Sequence, residues 1–185
     1  MTHEIIMAGF GGQGIMLMGQ LVAYAGMLKN KQVSYIPSYG PEMRGGTANC
    51  SVIVSDELIG SPIVSEPSAV IAMNLPSLDK FEPDLQPGGT LIINSSLIQR
   101  SAKRTDITVY QVPANEIAVE LGNSKVANIV ILGAFIAATQ AVEQEYVFKA
   151  FTKMFAKKPQ LHVINEMAMC RGAQCVSQSA NKVIS

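Results

Sequence analysis

Residues 9–14 read Gly9-Phe10-Gly11-Gly12-Gln13-Gly14, and this glycine run follows a short apolar stretch and opens into a segment with helical spacing. A strand, a glycine turn and a helix in that order bring backbone N–H groups to a helix N-terminus, where they can hold an anion. Glycine suits the turn because it adopts backbone angles that side chains resist and lets a phosphate approach the backbone closely. The run predicts an anion-binding strand–turn–helix junction.

The glycine run partly fits other kinds of site besides a general anion site. The spacing fits G-x-G-x-x-G, but an NAD site needs an acidic residue about 20 positions further on, and the predicted second strand ends Tyr35-Ile36-Pro37-Ser38 without one. A Walker A site is excluded because no Lys-Ser or Lys-Thr follows Gly14. The glycines can also serve only to pack the helix closely on the strand. The residues favour general anion binding, with close packing as the main alternative and an NAD site as the least favoured one.

The composition predicts one domain, residues 1–185, without a nucleic-acid-binding face. The 14 basic residues balance the 14 acidic ones, and neither sign forms a long run. Only 15% of the residues are charged and 48% are hydrophobic. Either a well-filled core or a surface buried against another chain explains this low charge.

The sequence predicts a cytoplasmic protein that does not enter a membrane. No basic segment with an apolar stretch behind it marks a signal peptide at the start. The longest apolar run, residues 126–138, is interrupted by Asn128 and is shorter than the roughly 20 residues of a membrane span. The three cysteines, Cys50, Cys170 and Cys175, form no disulfide pattern, which indicates a reducing compartment.

Apolar patterns predict strands that alternate with helices. Strands are expected at residues 4–8, 32–36, 48–54, 69–73, 90–94 and 107–112. Helices are expected at residues 14–28, 76–81, 116–121, 125–140, 143–155 and 159–182. Pro37 should stop the second strand, and Asn115 should cap the helix that follows it. The predicted fold class is α/β: a mainly parallel sheet sandwiched by helices, with a helical C-terminal tail that can dock on a partner.

A second loop, residues 37–47, reads Pro37-Ser38-Tyr39-Gly40-Pro41-Glu42-Met43-Arg44-Gly45-Gly46-Thr47. Such a loop buries little apolar surface, so its side chains are candidates for recognition. Arg44 offers a fork of donors for phosphate or carboxylate, and Gly45-Gly46 let backbone N–H groups face the same ligand. Glu42 either orients Arg44 or forms a surface ion pair of little energetic value. The residues themselves leave both interpretations open.

These two loops, together with Ser61-Pro62 and Ala72-Met73-Asn74, carry a family resemblance. Over nearly the whole chain they resemble the gamma subunit of 2-oxoacid:ferredoxin oxidoreductases, and the domain III of pyruvate:ferredoxin oxidoreductase that corresponds to it. The second loop is most similar to the 2-oxoglutarate branch. Pyruvate, branched-chain 2-oxoacid and indolepyruvate versions remain open, as does a non-catalytic nucleotide- or CoA-binding module.

The resemblance implies a complex that decarboxylates a 2-oxoacid, forms an acyl-CoA and reduces ferredoxin. It places thiamine diphosphate, Mg²⁺ and the [4Fe–4S] clusters on partner alpha and beta subunits, or on a small delta subunit. The gamma subunit is expected to lie over the active site and help bind CoA, and to be inactive alone. The sequence agrees, since it has no Gly-Asp-Gly signature and no C-x₂-C-x₂-C run.

The resemblance assigns this chain no catalytic residue and no metal ligand, but a CoA-binding surface. The expected residues are Gly9, Gly11, Gly12, Gln13, Gly14, Ser38, Tyr39, Gly40, Glu42, Arg44, Gly45, Gly46, Thr47 and Asn74. Gly11, Gly12 and Gly14 would present N–H groups to the CoA phosphates. The second loop would form the facing wall or touch the catalytic subunits, and Asn74 would join them at the end of a central strand.

Overall fold

A computed structural model describes residues 1–39 and 47–182 of the chain. Its strands are β1 (Thr2–Phe10), β2 (Gln32–Tyr39), β3 (Thr47–Ser55), β4 (Ala69–Ala72), β5 (Thr90–Asn94) and β6 (Thr108–Val112). Its helices are α1 (Ile15–Leu28), α2 (Leu75–Phe81), α3 (Ala114–Glu120), α4 (Ala127–Thr139), α5 (Gln144–Met154) and α6 (Gln160–Lys182). A single 3₁₀ turn, Ser124–Val126, leads into α4.

The six described strands form one sheet in the order β2-β3-β1-β4-β5-β6. Strands β1, β4, β5 and β6 pair in parallel, whereas β3 pairs antiparallel with both β1 and β2. Five of these six strands therefore run in the same direction, and β3 alone runs against them. The predicted α/β fold with a mainly parallel sheet is confirmed.

Helices cover the two faces of the sheet unequally. On one face α1, α4 and α5 enclose the larger apolar core, whose side chains include Met7, Met18 and Phe135. On the other face α2 covers a smaller core around Leu78, Leu91 and Ile93. The two helices that follow β1 and β4 thus lie on opposite sides of the sheet, and this arrangement creates a crevice between those neighbouring strands.

Two local expectations are wrong. Strand β2 continues through Pro37 to Tyr39, because β2 lies at the edge of the sheet, where a missing N–H is tolerated. Asn115 does not cap α3, which begins one residue earlier at Ala114. Instead its Oδ1 accepts a hydrogen bond of 2.9 Å from the Nδ2 of buried Asn94.

The C-terminal helix α6 packs on this domain through Ala168, Met169 and Val176, all of which are buried. It lies against α4, whose residues from Ala127 to Ile136 are buried all round. One face of the predicted helical tail is therefore part of the core.

Glu82, at the end of α2, ties this helix to the connection between β5 and β6. Its buried carboxylate accepts hydrogen bonds from the backbone N–H groups of Lys103 and Arg104 and forms an ion pair of 3.0 Å with Arg100. Burial raises the pKa of Glu82, but the two backbone N–H groups and Arg100 together outweigh burial, so that its pKa lies below the ordinary value of 4.5. The folded state holds this carboxylate in its charged form.

Glu82 should make the protein lose stability in acid. Because its pKa is lower when folded, its contribution is present above about pH 4.5 and is lost as pH falls through the folded pKa. We expect Glu82→Gln to lower the free energy of unfolding at pH 7 by about 1–3 kcal/mol, with a smaller loss at pH 4. Urea unfolding at both pH values measures this difference, with exposed Glu57→Gln as the control. An unchanged acid dependence in Glu82→Gln would contradict the assignment.

Candidate functional site

The turn between β1 and α1 has the backbone shape that the glycines predict. Gly12 and Gly14 adopt positive φ angles of 91° and 77°, in the region that favours glycine. Gly14 is the N-cap of α1, and no side chain caps it. The first turn of α1 carries no acidic residue. The positive end of this helix dipole is therefore not neutralised from within its own first turn.

Gln13 holds the turn in place. Its Oε1 accepts a hydrogen bond of 2.6 Å from the backbone N–H of Phe10, and its Nε2 donates to the carbonyl of Met73 at 3.4 Å. Met73 in turn donates its N–H to the carbonyl of Ala8 at 2.8 Å. Both ends of the Gln13 amide are engaged inside the protein, so this side chain fixes the loop beside the end of β4.

The glycines of the turn have different physical roles. A Cβ on Gly9 would lie 2.8 Å from the Cβ of Met73, and one on Gly14 would lie 2.8 Å from the Cγ of Asn128. These two positions require glycine because neighbouring side chains pack against them. A Cβ on Gly12 would meet open space, and Gly11 and Gly12 are both exposed. Gly9 and Gly14 therefore serve close packing, whereas the exposed Gly11 and Gly12 leave the surface of the turn accessible.

The glycine turn contains backbone N–H groups that are not used within the protein. None of the described residues accepts a hydrogen bond from the N–H groups of Gly11, Gly12 or Gly14. The N–H groups in the first turn of α1 point the same way, as at every helix N-terminus. This arrangement can hold a phosphate or a carboxylate.

Asn74 lies beside the turn, two residues past the end of β4. Ala8 of β1 pairs with Ala72 of β4 in parallel register, so the segments that follow the two strands leave the sheet together. Asn74 is 3% exposed, and its Oδ1 caps α2 by accepting a 2.9 Å hydrogen bond from the N–H of Ser77. Its Nδ2 is buried and finds no acceptor among the described residues. A buried amide donor without an acceptor costs free energy unless a ligand supplies one.

Asn128 is a residue of this site that the sequence interpretation missed. It is buried at the start of α4, and its Nδ2 donates to the carbonyl of Gly14 at 3.4 Å. In the sequence it interrupts an apolar run, and a lone amide at the start of a buried helix was the available signal. Asn128 connects α4 to the glycine turn.

The two ends of the second loop lie at the end of the sheet where β1 runs into the glycine turn. Thr47, at the start of β3, pairs with Phe10 at the end of β1, and Ser38 near the end of β2 is exposed, as is Thr47. The expected residues Gly40, Glu42, Arg44, Gly45 and Gly46 lie outside the described residues, as does the side chain of Tyr39.

The strand order gives a further argument against an NAD site. In the NAD-binding fold the second strand lies beside the first and carries the acidic residue that binds the ribose. Here β3 lies between β1 and β2, and β2 ends in Ser38 and Tyr39. Neither the position nor the residue type suits a nicotinamide cofactor.

The described residues contain no cluster of three or more His, Cys, Asp or Glu side chains that could hold a metal ion. Burial raises the pKa of the Cys50 thiol to about 12, and its Sγ donates to the carbonyl of Ile15. Cys50 therefore packs in the core as a neutral thiol.

No helix in the described part of the chain is both long and apolar enough to cross a bilayer.

Residues 4–175 match the protein family described as pyruvate ferredoxin/flavodoxin oxidoreductase. The chain belongs to this family. KorC, a 2-oxoglutarate synthase subunit of Methanocaldococcus jannaschii, is 38% identical over 153 residues, which cover 81% of this chain and 82% of KorC. VorA, a ketoisovalerate oxidoreductase subunit of Methanothermobacter marburgensis, is 38% identical over 171 residues, 92% of this chain but only 36% of VorA. The chain thus spans about a third of VorA.

Solved structures agree with this assignment. The gamma subunit of a keto/oxoacid ferredoxin oxidoreductase from Geobacter sulfurreducens has a TM-score of 0.80 at 31% identity, over 95% of this chain and 99% of that one. The 2-oxoglutarate:ferredoxin oxidoreductase of Magnetococcus marinus shares the fold with a TM-score of 0.88 at 20% identity, over 96% of this chain and 31% of that one. The family that the two loops predict is confirmed.

Proposed function

We propose that this chain is the gamma subunit of a 2-oxoacid:ferredoxin oxidoreductase complex, in which it covers the active site and binds CoA. The observation that carries this proposal is the junction between β1 and β4. There, the glycine turn follows β1 and Asn74 follows the neighbouring parallel strand β4, and the buried Nδ2 of Asn74 has no acceptor among the described residues. In open α/β sheets ligands bind at such a crevice, outside the carboxyl ends of the strands.

CoA suits this junction because it carries phosphates that match backbone donors at a helix N-terminus. In the proposal, Gly11, Gly12 and Gly14 donate to a phosphate and Asn74 supplies a side-chain donor. Gln13 and Asn128 keep the turn in the shape that this requires.

The second loop contributes the facing wall in this proposal. Support for this comes from residue types in the sequence: Arg44 has a fork of donors, Gly45 and Gly46 have no side chain that could shield a backbone N–H, and Ser38 and Tyr39 have polar side chains. Gly40 and Thr47 belong to the same wall, and Glu42 orients Arg44.

Redox chemistry is assigned to other subunits. The family resemblance places thiamine diphosphate, Mg²⁺ and iron–sulfur clusters on partner alpha and beta subunits, with or without delta, where they decarboxylate the 2-oxoacid and carry electrons to ferredoxin. This chain binds and orients CoA and shields the reacting groups from water. We place the complex in the cytoplasm.

We propose 2-oxoglutarate as the substrate. The match to KorC covers most of both chains. The amino-acid sequence of the second loop also resembles the 2-oxoglutarate branch of the family most. Ketoisovalerate, the branched-chain 2-oxoacid named for VorA, is the alternative, because VorA shares the same 38% identity.

The test is a substrate assay of the complex purified through a tag on this chain. We expect CoA-dependent reduction of ferredoxin, with kcat/KM for 2-oxoglutarate about tenfold or more above those for ketoisovalerate and pyruvate. A higher kcat/KM for ketoisovalerate would reassign the substrate. A chain that purifies without other subunits, and whose addition does not change CoA-dependent reduction of ferredoxin, would contradict the proposed role.

A further inference from the structure

Phe10 is the one aromatic side chain described by the structure that belongs to neither apolar core. It is 37% exposed, whereas every other described aromatic side chain is buried in a core or packed against one. A single exposed apolar side chain is ordinary on a protein surface. The position of Phe10 is unusual, because it ends β1 and is followed by the exposed Gly11 and Gly12. These two residues have no side chain that could cover the ring.

Phe10 and Asn74 occupy equivalent positions on neighbouring strands. The last parallel pair between β1 and β4 joins Ala8 to Ala72, so Phe10 and Asn74 each lie two positions beyond it. The two segments stay together past this pair, because the N–H of Met73 donates to the carbonyl of Ala8 at 2.8 Å. Asn74 also keeps extended backbone angles. Phe10 therefore lies at the crevice between β1 and β4, next to the segment that carries the buried Asn74 amide.

Phe10 and Asn74 also start from the same side of the sheet. Ala8 and Ala72 both belong to the smaller core, which α2 covers. Side chains two positions apart along a strand point the same way, so Phe10 and Asn74 continue this side. The helix after the glycine turn, α1, covers the other side. A ligand at the carboxyl ends of these strands would meet the glycine turn on one side and Phe10 with Asn74 on the other.

The backbone of Phe10 is fixed by its neighbours. Its N–H donates to the Oε1 of Gln13 at 2.6 Å, and its carbonyl accepts from the N–H of Gln13 at 3.2 Å. Phe10 also pairs with Thr47 of β3. A ring on a fixed backbone, with two rotatable bonds of its own, loses little conformational freedom when a ligand covers it.

The crevice combines hydrogen-bond donors with exposed apolar side chains. The donors are the N–H groups of the glycine turn and the Nδ2 of Asn74. Leu75, which follows Asn74, is 42% exposed and adds apolar surface to that of Phe10. Ligand pockets commonly have such a lining, in which a few polar groups fix the orientation. A flat ring beside phosphate-binding donors suits a nucleotide, because its base can stack while its phosphate binds the backbone.

We propose that the ring of Phe10 stacks on the adenine of CoA. This inference rests on the proposed function and adds the residue that recognises the nucleotide end of CoA. The pantetheine arm of CoA and the 2-oxoacids named above contain no aromatic ring, so adenine is the group with a flat face for Phe10. Phe10 sets specificity for CoA over thiols without adenine, and it takes no part in the chemical step.

The experiment uses the complex purified through a tag on this chain, with Phe10→Ala and Phe10→Leu as separate variants. Reduction of ferredoxin gives kcat, the KM for CoA and the inhibition constants Ki of two competitors. Adenosine 3′,5′-bisphosphate carries the adenine, and 4′-phosphopantetheine carries the other half of CoA. We expect the KM for CoA and the Ki of the adenine competitor to rise about tenfold in both variants. The Ki of 4′-phosphopantetheine and kcat should stay unchanged.

Two further variants serve as controls. Phe10→Trp keeps a flat ring and should retain the wild-type KM for CoA or lower it, whereas a tenfold rise would contradict stacking. Leu58→Ala removes another exposed apolar side chain, one that is 87% exposed. Leu58 follows β3, whose last residue pairs with the start of β1, so Leu58 lies at the opposite end of these strands. Leu58→Ala should leave all four constants unchanged.

The outcomes separate this inference from the proposed function. An unchanged KM for CoA in Phe10→Ala would overturn the inference and leave the proposed function intact. Equal rises in both Ki values would also overturn it, because Phe10 would then act through the shape of the turn. Loss of other subunits from the variant complex, with both Ki values unchanged, would make Phe10 a subunit contact instead. A wild-type complex that reduces ferredoxin without CoA would remove the proposed function and this inference together.

Discussion

Gly172→Ala should lower the free energy of unfolding by about 1–3 kcal/mol, although the same change at an open helix position stabilises by about 1 kcal/mol. The sign reverses because α6 crosses α4 with its backbone in direct contact. A Cβ on Gly172 would meet the carbonyl of Val130, with its carbon 2.8 Å away and the nitrogen of Ala134 3.0 Å away. Backbone atoms cannot rotate out of the way as side chains can.

The contact between the helices is reciprocal, and this raises the expected cost. A Cβ on Gly133 of α4 would lie 2.7 Å from the carbonyl carbon of Met169 and 2.8 Å from its Cα. The two glycines therefore let the helices approach at two points. Separating the helices at either point would loosen the packing around Val130 and Phe135, both of which are fully buried.

Urea unfolding of Gly172→Ala and Gly133→Ala at neutral pH measures this effect. Gly60→Ala is the matched control, because a Cβ there meets no atom within 4 Å and Gly60 does not have a positive φ. We expect the control to unfold at the same urea concentration as the wild type or slightly higher. A Gly172→Ala variant as stable as the control would show that α6 does not cross α4 at this distance.

Local patterns predict the elements of this fold better than their arrangement. Strand β5, Thr90–Asn94, occurs at the residues that its apolar run and the preceding glycines indicate. The direction of β3 could not be predicted, because alternation of side chains is the same in parallel and antiparallel strands. Pro37 predicts the end of β2, and only the strand order shows that β2 lies at an edge of the sheet, where proline is tolerated.

The sequence predicts the position of the glycine turn in the candidate site, but not the side-chain contacts around it. The glycine run predicts the junction, and the end of the fourth strand predicts the place of Asn74. Sequence alone does not show that Gly14 must be small because Asn128, 114 residues away, packs against it. It also does not show that the Oδ1 of Asn74 caps α2 while its buried Nδ2 has no acceptor among the described residues, since that depends on the fold of α2.

Asn74→Asp should weaken CoA binding by about tenfold to a hundredfold, the range for losing a hydrogen bond to a charged group. The substitution separates the two functions of this side chain. An aspartate oxygen can still accept from the N–H of Ser77 and cap α2, because Asp and Asn are equally good N-caps. The position of Nδ2 instead becomes a carboxylate oxygen, which donates nothing and repels a phosphate. The expected result is a higher KM for CoA in a chain that still folds.

Steady-state kinetics of the assembled complex measure the KM for CoA and for the 2-oxoacid, and thermal unfolding of the isolated chain checks its stability. Asn30→Asp is the matched control. Asn30 is exposed just after α1, at the end of this helix that is far from the glycine turn. Its φ is 58°, which aspartate also tolerates. An unchanged KM for CoA in folded Asn74→Asp would exclude this amide from CoA binding. A rise confined to the KM of the 2-oxoacid would mean that the donor faces the carboxylate of that substrate. Because the cap is retained, a specific rise in the KM for CoA can be attributed to the loss of the Nδ2 donor.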